Sequence, residues 1–396
     1  MDRPAGVVFI NSASDTFTPT ISGALSTWIW EVCNAARRDG FEPWVIARAA
    51  REKPWDWPRT ILIDYPYPKA LRIRGAGRFY ELQKRWMGWG HVHQGNYMRL
   101  LVAGIQKAGL THGPFFLQND MEAAVLLRHS FPDARVIHLA QNNNTCSGKF
   151  RRRFGKSVDL ALAVSKYCAE WNVEYFNCPV ETLYSGVNTD IFAPSDRRAG
   201  GLPVINFHGR TSRVKGLDIL FDAAISLAMA GYRFQIQALG STHWDHTELD
   251  DYQRHLASQA LELDRLGVVV RRPGHIGRHA LPDELRKADI HCIPARWDEP
   301  FGLTTLEGMA CGLATVASRT GGTPEILGDA GLLFERENVQ QLTQCLERLI
   351  TDEDLRLHYA LKARQRAENF TWCKTWHRIR PIIDDSWGAS TENRHD

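Results

Sequence analysis

Short apolar runs alternate along the chain with stretches whose apolar positions recur at helical spacing. The first run, VVFIN at 7–11, leads into a polar loop and a helical pattern over 21–38 that closes at Gly40, and a second run, PWVIA, follows at once. Strand, loop, helix and strand at that spacing is the βαβ unit of an open parallel sheet. The pattern continues with PFFLQ (114–118), RVIHLAQ (135–141), LALAVS (160–165) and VETLYS (180–185) as strands separated by helical stretches. At 192–203, FAPSDRRAGGLP, the composition turns to Pro, Gly, Ser and charge, which marks a linker. The rhythm then restarts with PVINFHG, a helix over about 215–230, YRFQIQALG, a helix over about 245–265, GVVVRRP, a short helix and ADIHCIPA. Six or so βα repeats with strands apolar on both faces predict a second parallel sheet.

Two segments depart from this rhythm. Residues 51–99 place Trp55, Trp57, Trp86 and Trp89 among many Arg and Lys with Pro and Gly breaks, and read as an insertion or surface segment rather than sheet core. The alternatives for it are aromatic cover for a small subdomain or a surface that meets a membrane or acceptor. RRRFGK (151–156) reads as a solvated basic loop.

Composition narrows the field. A chain of 396 residues with 44% hydrophobic and 23% charged positions is a folded protein of two domains, not a disordered or low-complexity one. No stretch approaches the roughly 20 apolar residues of a membrane span, and the first residues lack the layout of a secretory leader, so the expectation is a cytoplasmic protein, with peripheral contact at the inner membrane face through the first domain left open. The eight cysteines are scattered, with no zinc-binding spacing, and read as reduced thiols. Residues 1–190 carry 23 Lys/Arg against 17 Asp/Glu and the remainder 25 against 28, an asymmetry that permits an anionic partner on the first half without demanding one.

In a doubly wound sheet, ligands bind beyond the carboxyl ends of the strands. Three such loops in the second half are chemically loaded. HGRTSRVKG (208–216) brings Arg210, Arg213 and Lys215 beside a helix N-terminus, with Gly209 and Gly216 allowing close backbone approach; it is an anion site that a diphosphate fits, or a solvated basic loop. DEPFGLTTLEGMACG (298–312) sets Glu299 at a strand's end and Gly302 before a helix whose first N–H groups, at Leu303, Thr304 and Thr305, have no partner inside the helix. Glu307 follows eight residues after Glu299, so two carboxylates are spaced along one elongated ligand, although a Glu in a first turn also complements the helix dipole. SRTGGTPEI (318–326) supplies a third wall with Gly321, Gly322 and Glu325.

These segments together, HGRTSRVKGLDILFDAA and EPFGLTTLEGMACGLATVASRTGGTPEILGDAGLLFE, resemble the donor-binding domain of the retaining GT-B glycosyltransferases, glycosyltransferase family 4 (glycosyl transferases group 1). The first half resembles the family more loosely, through VDLALAVSKY and LYSGVNTDIFAP. The resemblance implies an α/β fold of the GT-B type, two Rossmann-like domains facing across a cleft. It implies an acceptor-binding domain over 1–192, a linker over 193–203, a nucleotide-sugar domain over 204–370, and a closing helix over 371–396 that packs back on the first domain.

It also implies roles for single residues. Arg210 and Lys215 are similar to the pair that neutralises the donor diphosphate, with Gly209 beside them. Glu307 resembles the carboxylate that accepts ribose hydroxyls, and Glu299 the acidic residue beside the anomeric carbon. The N–H groups of Phe301, Gly302, Leu303 and Thr304 would bind sugar hydroxyls and phosphate. His275 and Ile276, between Gly274 and Gly277, would frame the base, and Gly23 resembles the glycine that lets the first domain approach the diphosphate. Where the family often carries a His, register puts Gln141, with His138 and Asn142 as further acceptor-domain candidates; an amide has no titratable proton to give.

The implied activity is retaining transfer of a sugar from a nucleotide sugar, a UDP-sugar first and GDP-mannose next, to a hydroxyl acceptor in surface polysaccharide, glycolipid or other glycoconjugate synthesis. The acceptor is unknown and lipid-linked acceptors are among those expected; no metal or other cofactor and no nucleic-acid partner are implied. Alternatives are glycosylation of a soluble small molecule, a nucleotide-sugar epimerase of the same architecture, and a catalytically degenerate binding or structural protein. NAD chemistry is disfavoured because no G-x-G-x-x-G follows the first strand.

Overall fold

The computed structural model describes residues 6–20, 23–65, 94–146, 148–195, 201–241 and 250–392. The chain forms two compact units, one of Met1–Tyr184 with Trp372–Asp396 and the other of Ser185–Thr371.

In the first unit β1 (Val8–Ile10), α1 (Ala24–Arg38), β2 (Trp44–Arg48), β3 (Thr60–Ile63), α2 (Gln94–Lys107), β4 (Phe115–Gln118), α3 (Met121–Ser130), β5 (Val136–Ala140), α4 (Gly148–Gly155), β6 (Leu160–Ala163), α5 (Lys166–Asn172) and β7 (Val180–Thr182) follow one another. The strands are parallel in the order β3-β2-β1-β4-β5-β6-β7. Apolar residues point to both faces, as helix cover on both sides requires. Val8, Ile10, Phe115, Leu117 and Val136 pack with Tyr97, Leu101 and Ile105 of α2 and Leu127 of α3. Phe9 and Phe116 meet the α1 Trp28 on the opposite face, with ring centroids 5.9 and 5.4 Å from it.

The second unit runs β8 (Val204–His208), α6 (Leu217–Met229), β9 (Gln235–Leu239), α7 (Asp251–Arg265), β10 (Val269–Gly274), α8 (Leu281–Leu285), β11 (Ile290–Ile293), α9 (Leu303–Ala310), β12 (Ala314–Ser318), α10 (Thr323–Leu327), β13 (Gly331–Phe334), α11 (Val339–Thr351) and α12 (Glu353–Ala367). Its six parallel strands are ordered β10-β9-β8-β11-β12-β13. The strand order reverses between β1 and β4 in one sheet and between β8 and β11 in the other, and at such points the loops part to leave a crevice. The closing helix α13 (Trp372–Glu392) belongs to the first unit, where Trp376 Nε1 donates to Asp39 Oδ2 at 3.0 Å.

Several expectations need correction. The basic run 151–156 lies largely in α4, because Phe154 is buried in the core and draws the segment into an amphipathic turn while Arg152 and Arg153 stay exposed. Segment 51–99 contributes sheet after all: β3 pairs with β2, and Trp55 and Trp57 are buried, Trp55 stacked on Trp30 at 5.1 Å and Trp57 donating to the Pro43 carbonyl at 2.8 Å. Trp86 and Trp89 lie outside the described residues. The boundary between units falls at Tyr184/Ser185 rather than in 193–203, since Val187 N–H donates to Phe370 O at 2.9 Å and Phe192 is buried in the second unit. β10 is not apolar on both faces: an edge strand, it leaves Val269, Arg271 and Arg272 exposed.

Candidate active site

The loop after β8 is built around two backbone conformations that suit glycine. Gly209 has φ +150° and Gly216 φ +74°, the latter closing the 3-10 turn Arg213–Lys215. A Cβ on Gly216 would lie 1.9 Å from the Pro294 carbonyl oxygen, so the loop rests directly on the end of β11. That contact delivers Lys215 to Glu299: Nζ is ion-paired with Oε1 and stands 5.1 Å from the centroid of the Trp297 ring. Arg296 fixes the same loop from below, with both arms of its guanidinium on the Asp218 carboxylate at 2.7 Å and a further bond to Arg213 O at 2.9 Å. Arg210 points outward, exposed.

Glu299 is 6% exposed and is held by its backbone. Gly322 N–H donates to the Glu299 carbonyl at 2.7 Å, Gly321 N–H to Asp298 Oδ1 at 3.1 Å, and a Cβ on Gly321 (φ +50°) would meet Glu299 O at 2.2 Å. The Gly321–Gly322 turn is thus the bed on which the Glu299 loop lies. Gly302, with φ +99°, starts α9, and the cap has no side-chain hydrogen bond, which leaves the first N–H groups of the helix for an incoming acceptor of hydrogen bonds.

Glu307 is 4% exposed and accepts from Arg278 Nη1 at 2.9 Å, while His208 Nδ1 stands 3.6 Å from its other oxygen. Burial, with the positive charges of Arg278 and Lys215 nearby, pushes His208 down to about 3, so the ring is neutral and the partner of the Glu307 charge is Arg278. Under the helix, His291 bridges the sheet to α9. Its Nδ1 accepts from Asn206 Nδ2 at 2.8 Å, which leaves the proton on Nε2 for the Thr304 carbonyl at 2.9 Å. Gln237 continues the chain by donating to Asn206 Oδ1 at 3.0 Å. These bonds fix the depth at which the N-terminus of α9 presents its N–H groups.

In the second unit, then, Arg210, Lys215, Glu299, Gly302, Leu303, Thr304 and Glu307 come from the ends of β8 and β11 and the start of α9. Phe301 is buried against Phe370, whereas His275 is exposed and Ile276 half-buried after β10.

The first-unit candidates divide. Gly23 N–H donates to Asp15 Oδ1 at 2.8 Å and Ser26 N–H to Asp15 Oδ2 at 3.0 Å, so a carboxylate of the chain itself satisfies the start of α1. Gln141 and Asn142 follow β5, Gln141 half-buried and Asn142 exposed. His138 is corrected to a core residue: fully buried, its ring lies 5.0 Å from Phe154 and 5.5 Å from Phe176, with neither nitrogen hydrogen-bonded, because strand alternation turns it to the α4 face.

Three neutral histidines, His138 and His291 buried and His208 half-buried, make the protein acid-sensitive. Burial holds His138 and His208 near 3 and His291 near 4, below the unfolded value of about 6.5. The unfolded chain therefore binds more protons in that window, and stability is retained above about pH 6.5 and lost as pH falls toward 4. Each histidine contributes a slope of about 1.4 kcal/mol per pH unit. Denaturant unfolding across that range is expected to show the second unit, which holds two of the three, weakening first; a pH-independent midpoint would refute this.

Residues 189–366, nearly the whole second unit, match the family model described as glycosyl transferases group 1. Over that segment the chain carries the family's sequence pattern. Among glycosyltransferases it is similar to the D-inositol 3-phosphate glycosyltransferase of Corynebacterium jeikeium, 32% identical over 285 residues, which cover 64% of this chain and 65% of that relative's length. In solved structures the fold matches a sucrose-phosphate synthase from Thermosynechococcus elongatus, at TM-score 0.76 and 18% identity over 97% of this chain and all of that one. It also matches the Anabaena protein HepE in complex with UDP and glucose, at TM-score 0.66 and 16% identity over 96% of this chain and 99% of that one. The α/β architecture of two Rossmann-like units is that of the GT-B glycosyltransferases.

Three residues that position this site carry no motif of their own. His208 and Arg278 attend Glu307, and Arg296 holds the basic loop; their only sequence signal is a charged or polar side chain at a strand's last residue, as for His208, or a few residues beyond it.

Proposed function

We propose that the protein is a retaining glycosyltransferase that moves a sugar from a UDP-sugar to a hydroxyl of an acceptor in surface-polysaccharide or glycolipid synthesis. The observation that carries this reading is the Lys215–Glu299 pair set beside the uncapped N-terminus of α9, with Glu307 one further turn along. The UDP and glucose held by HepE, a protein of the same fold, support the choice of donor.

In this reading the diphosphate lies between the exposed Arg210, Lys215 and the α9 N–H groups. As the bond from the anomeric carbon to phosphate oxygen breaks, its electrons pass to the leaving diphosphate, and these fixed positive ends stabilise the charge that develops. The acceptor oxygen attacks on the leaving-group face and its proton passes to the departing phosphate oxygen. Gln141 cannot take that proton, since an amide does not titrate in this range. Glu299, freed from Lys215 when the diphosphate takes the lysine, accepts hydrogen bonds from the sugar, and Glu307 exchanges Arg278 for ribose hydroxyls.

Calorimetry with UDP and GDP tests the donor half. Micromolar binding of UDP in the presence of EDTA is expected, and Arg210→Ala with Lys215→Ala should weaken it at least tenfold; Glu307→Ala should weaken it comparably. Binding indifferent to all three substitutions would remove the site assignment.

A further inference from the structure

Two consecutive residues after β13 reach back to the loop that carries Glu299. Arg336 is ion-paired with Asp298, and Glu337 Oε1 accepts from Arg296 Nε at 2.6 Å. Arg296 and Asp298 flank Trp297 in the chain, and the Lys215 ammonium stands over the Trp297 ring. The end of β13, the edge strand of the second sheet, thus grips the chain just before and just after the ring on which the lysine rests.

The turn that makes this grip is held in an unusual shape. Glu337 has φ +61°; among the described residues it and Asn119 are the non-glycine positions with left-handed backbone. Asparagine adopts that conformation with modest strain, whereas for glutamate it is uncommon and glycine would be the relaxed choice. Hydrogen bonds impose the shape. Gln341 Oε1 accepts from Glu335 N–H at 2.7 Å, Asn338 Oδ1 from Gln341 N–H at 2.9 Å, and Asn338 N–H donates to Glu335 O at 2.9 Å. Strain maintained by the surrounding structure is a mark of function.

The Glu337 side chain is exposed, and an exposed ion pair contributes little to stability. What it supplies is direction. With Nε tied to Glu337, the plane of the Arg296 guanidinium is set, so that Nη1 reaches Arg213 O at 2.9 Å and Asp218 Oδ1 at 2.7 Å while Nη2 reaches Asp218 Oδ2 at 2.7 Å. Arg296 N–H also donates to the Val214 carbonyl at 2.8 Å. Arg296 therefore holds two of the three residues of the 3-10 turn that ends in Lys215.

We infer that Glu337 is a positioning residue for the transfer step: through Arg296 it sets where Lys215 stands once the lysine has left Glu299 for the donor diphosphate. The inference rests on the transferase reading above and adds to it a residue from a fourth strand end that touches neither donor nor acceptor. Binding of the ground-state donor is shared with Arg210, the α9 N–H groups and Glu307. Charge that develops on the leaving group is more sensitive to a displaced cation, so the loss belongs to turnover.

Kinetics, melting and the indole N–H NMR signal of Trp297, assigned by Trp297→Phe, test this on Glu337→Gly and Glu337→Gln. Glu337→Gly removes the arm and relaxes the backbone; kcat is expected to fall about tenfold or more while KM for the UDP-sugar stays within about threefold. Its melting temperature should stay within about 2 °C of the parent, since relief of strain offsets the lost pair. Glu337→Gln keeps an oxygen for Arg296 Nε and should recover most of the rate. The Trp297 signal should shift in the glycine substitution and stay in place in the glutamine one. A kcat for Glu337→Gly within about twofold of the parent, a loss carried by KM, or a loss matched by a clear fall in melting temperature would overturn the inference. Should the parent release no UDP from a UDP-sugar, the donor reading fails, and the Trp297 signal alone decides whether Glu337 holds Lys215 in place: a shift sustains the clamp and an unmoved signal removes it.

Discussion

Replacing Lys215 by alanine is expected to lower turnover by about 10²–10³-fold, the usual loss when one fixed positive group is taken from a developing anion. Lys215 is the cation that the fold delivers with most care. It stands at the end of a 3-10 turn closed by a left-handed glycine, pressed on Pro294 and anchored below by Arg296. Its removal has a second effect, since Glu299, 6% exposed, loses its partner and becomes a buried carboxylate without a counter-charge. Lys215→Arg should recover only part of the rate, because a planar guanidinium cannot occupy the ammonium's place between Glu299 and the Trp297 ring. Initial rates of UDP release with saturating donor measure the effect. A rate within threefold of the parent would mean that the diphosphate does not lie on this loop.

The second large effect is on stability. Gly308 lies inside α9, and a Cβ there would stand 2.0 Å from His291 Cδ2 and 2.5 Å from Cγ. The ring has no room to withdraw: it is fully buried and bonded at both nitrogens, to Asn206 and to the Thr304 carbonyl. Gly308→Ala must therefore displace the helix or break the bridge. Overpacking of this kind costs about 3 kcal/mol. For a unit of this size that is a fall in melting temperature of about 6–12 °C, although alanine ordinarily strengthens a helix relative to glycine. Calorimetric melting of the variant checks it, and an unchanged or raised midpoint would contradict the packing described. His291→Ala in the same chain should relieve part of the loss, as coupled neighbours do not add.

The alternation of apolar runs and helical stretches sufficed for two parallel sheets, because a strand covered by helices on both faces must be apolar on both. The basic loop, the Glu299–Glu307 spacing and the Gly321–Gly322 pair were equally plain, since each depends on groups close in the chain and follows a strand end, where open sheets bind ligands. What pairs with what was not. His138 read as a site candidate and is core, because one residue of strand register decides the face. Trp55 and Trp57 read as surface and are buried, because Trp30 and Pro43, which cover them, come from elsewhere in the chain. The partnership of Glu307 with Arg278, of Lys215 with Glu299 and of Gly308 with His291 joins residues 29, 84 and 17 positions apart. Local sequence determined the elements and the chemistry carried on each loop; the packing of distant strands determined which charges meet and where a single methyl group has no space.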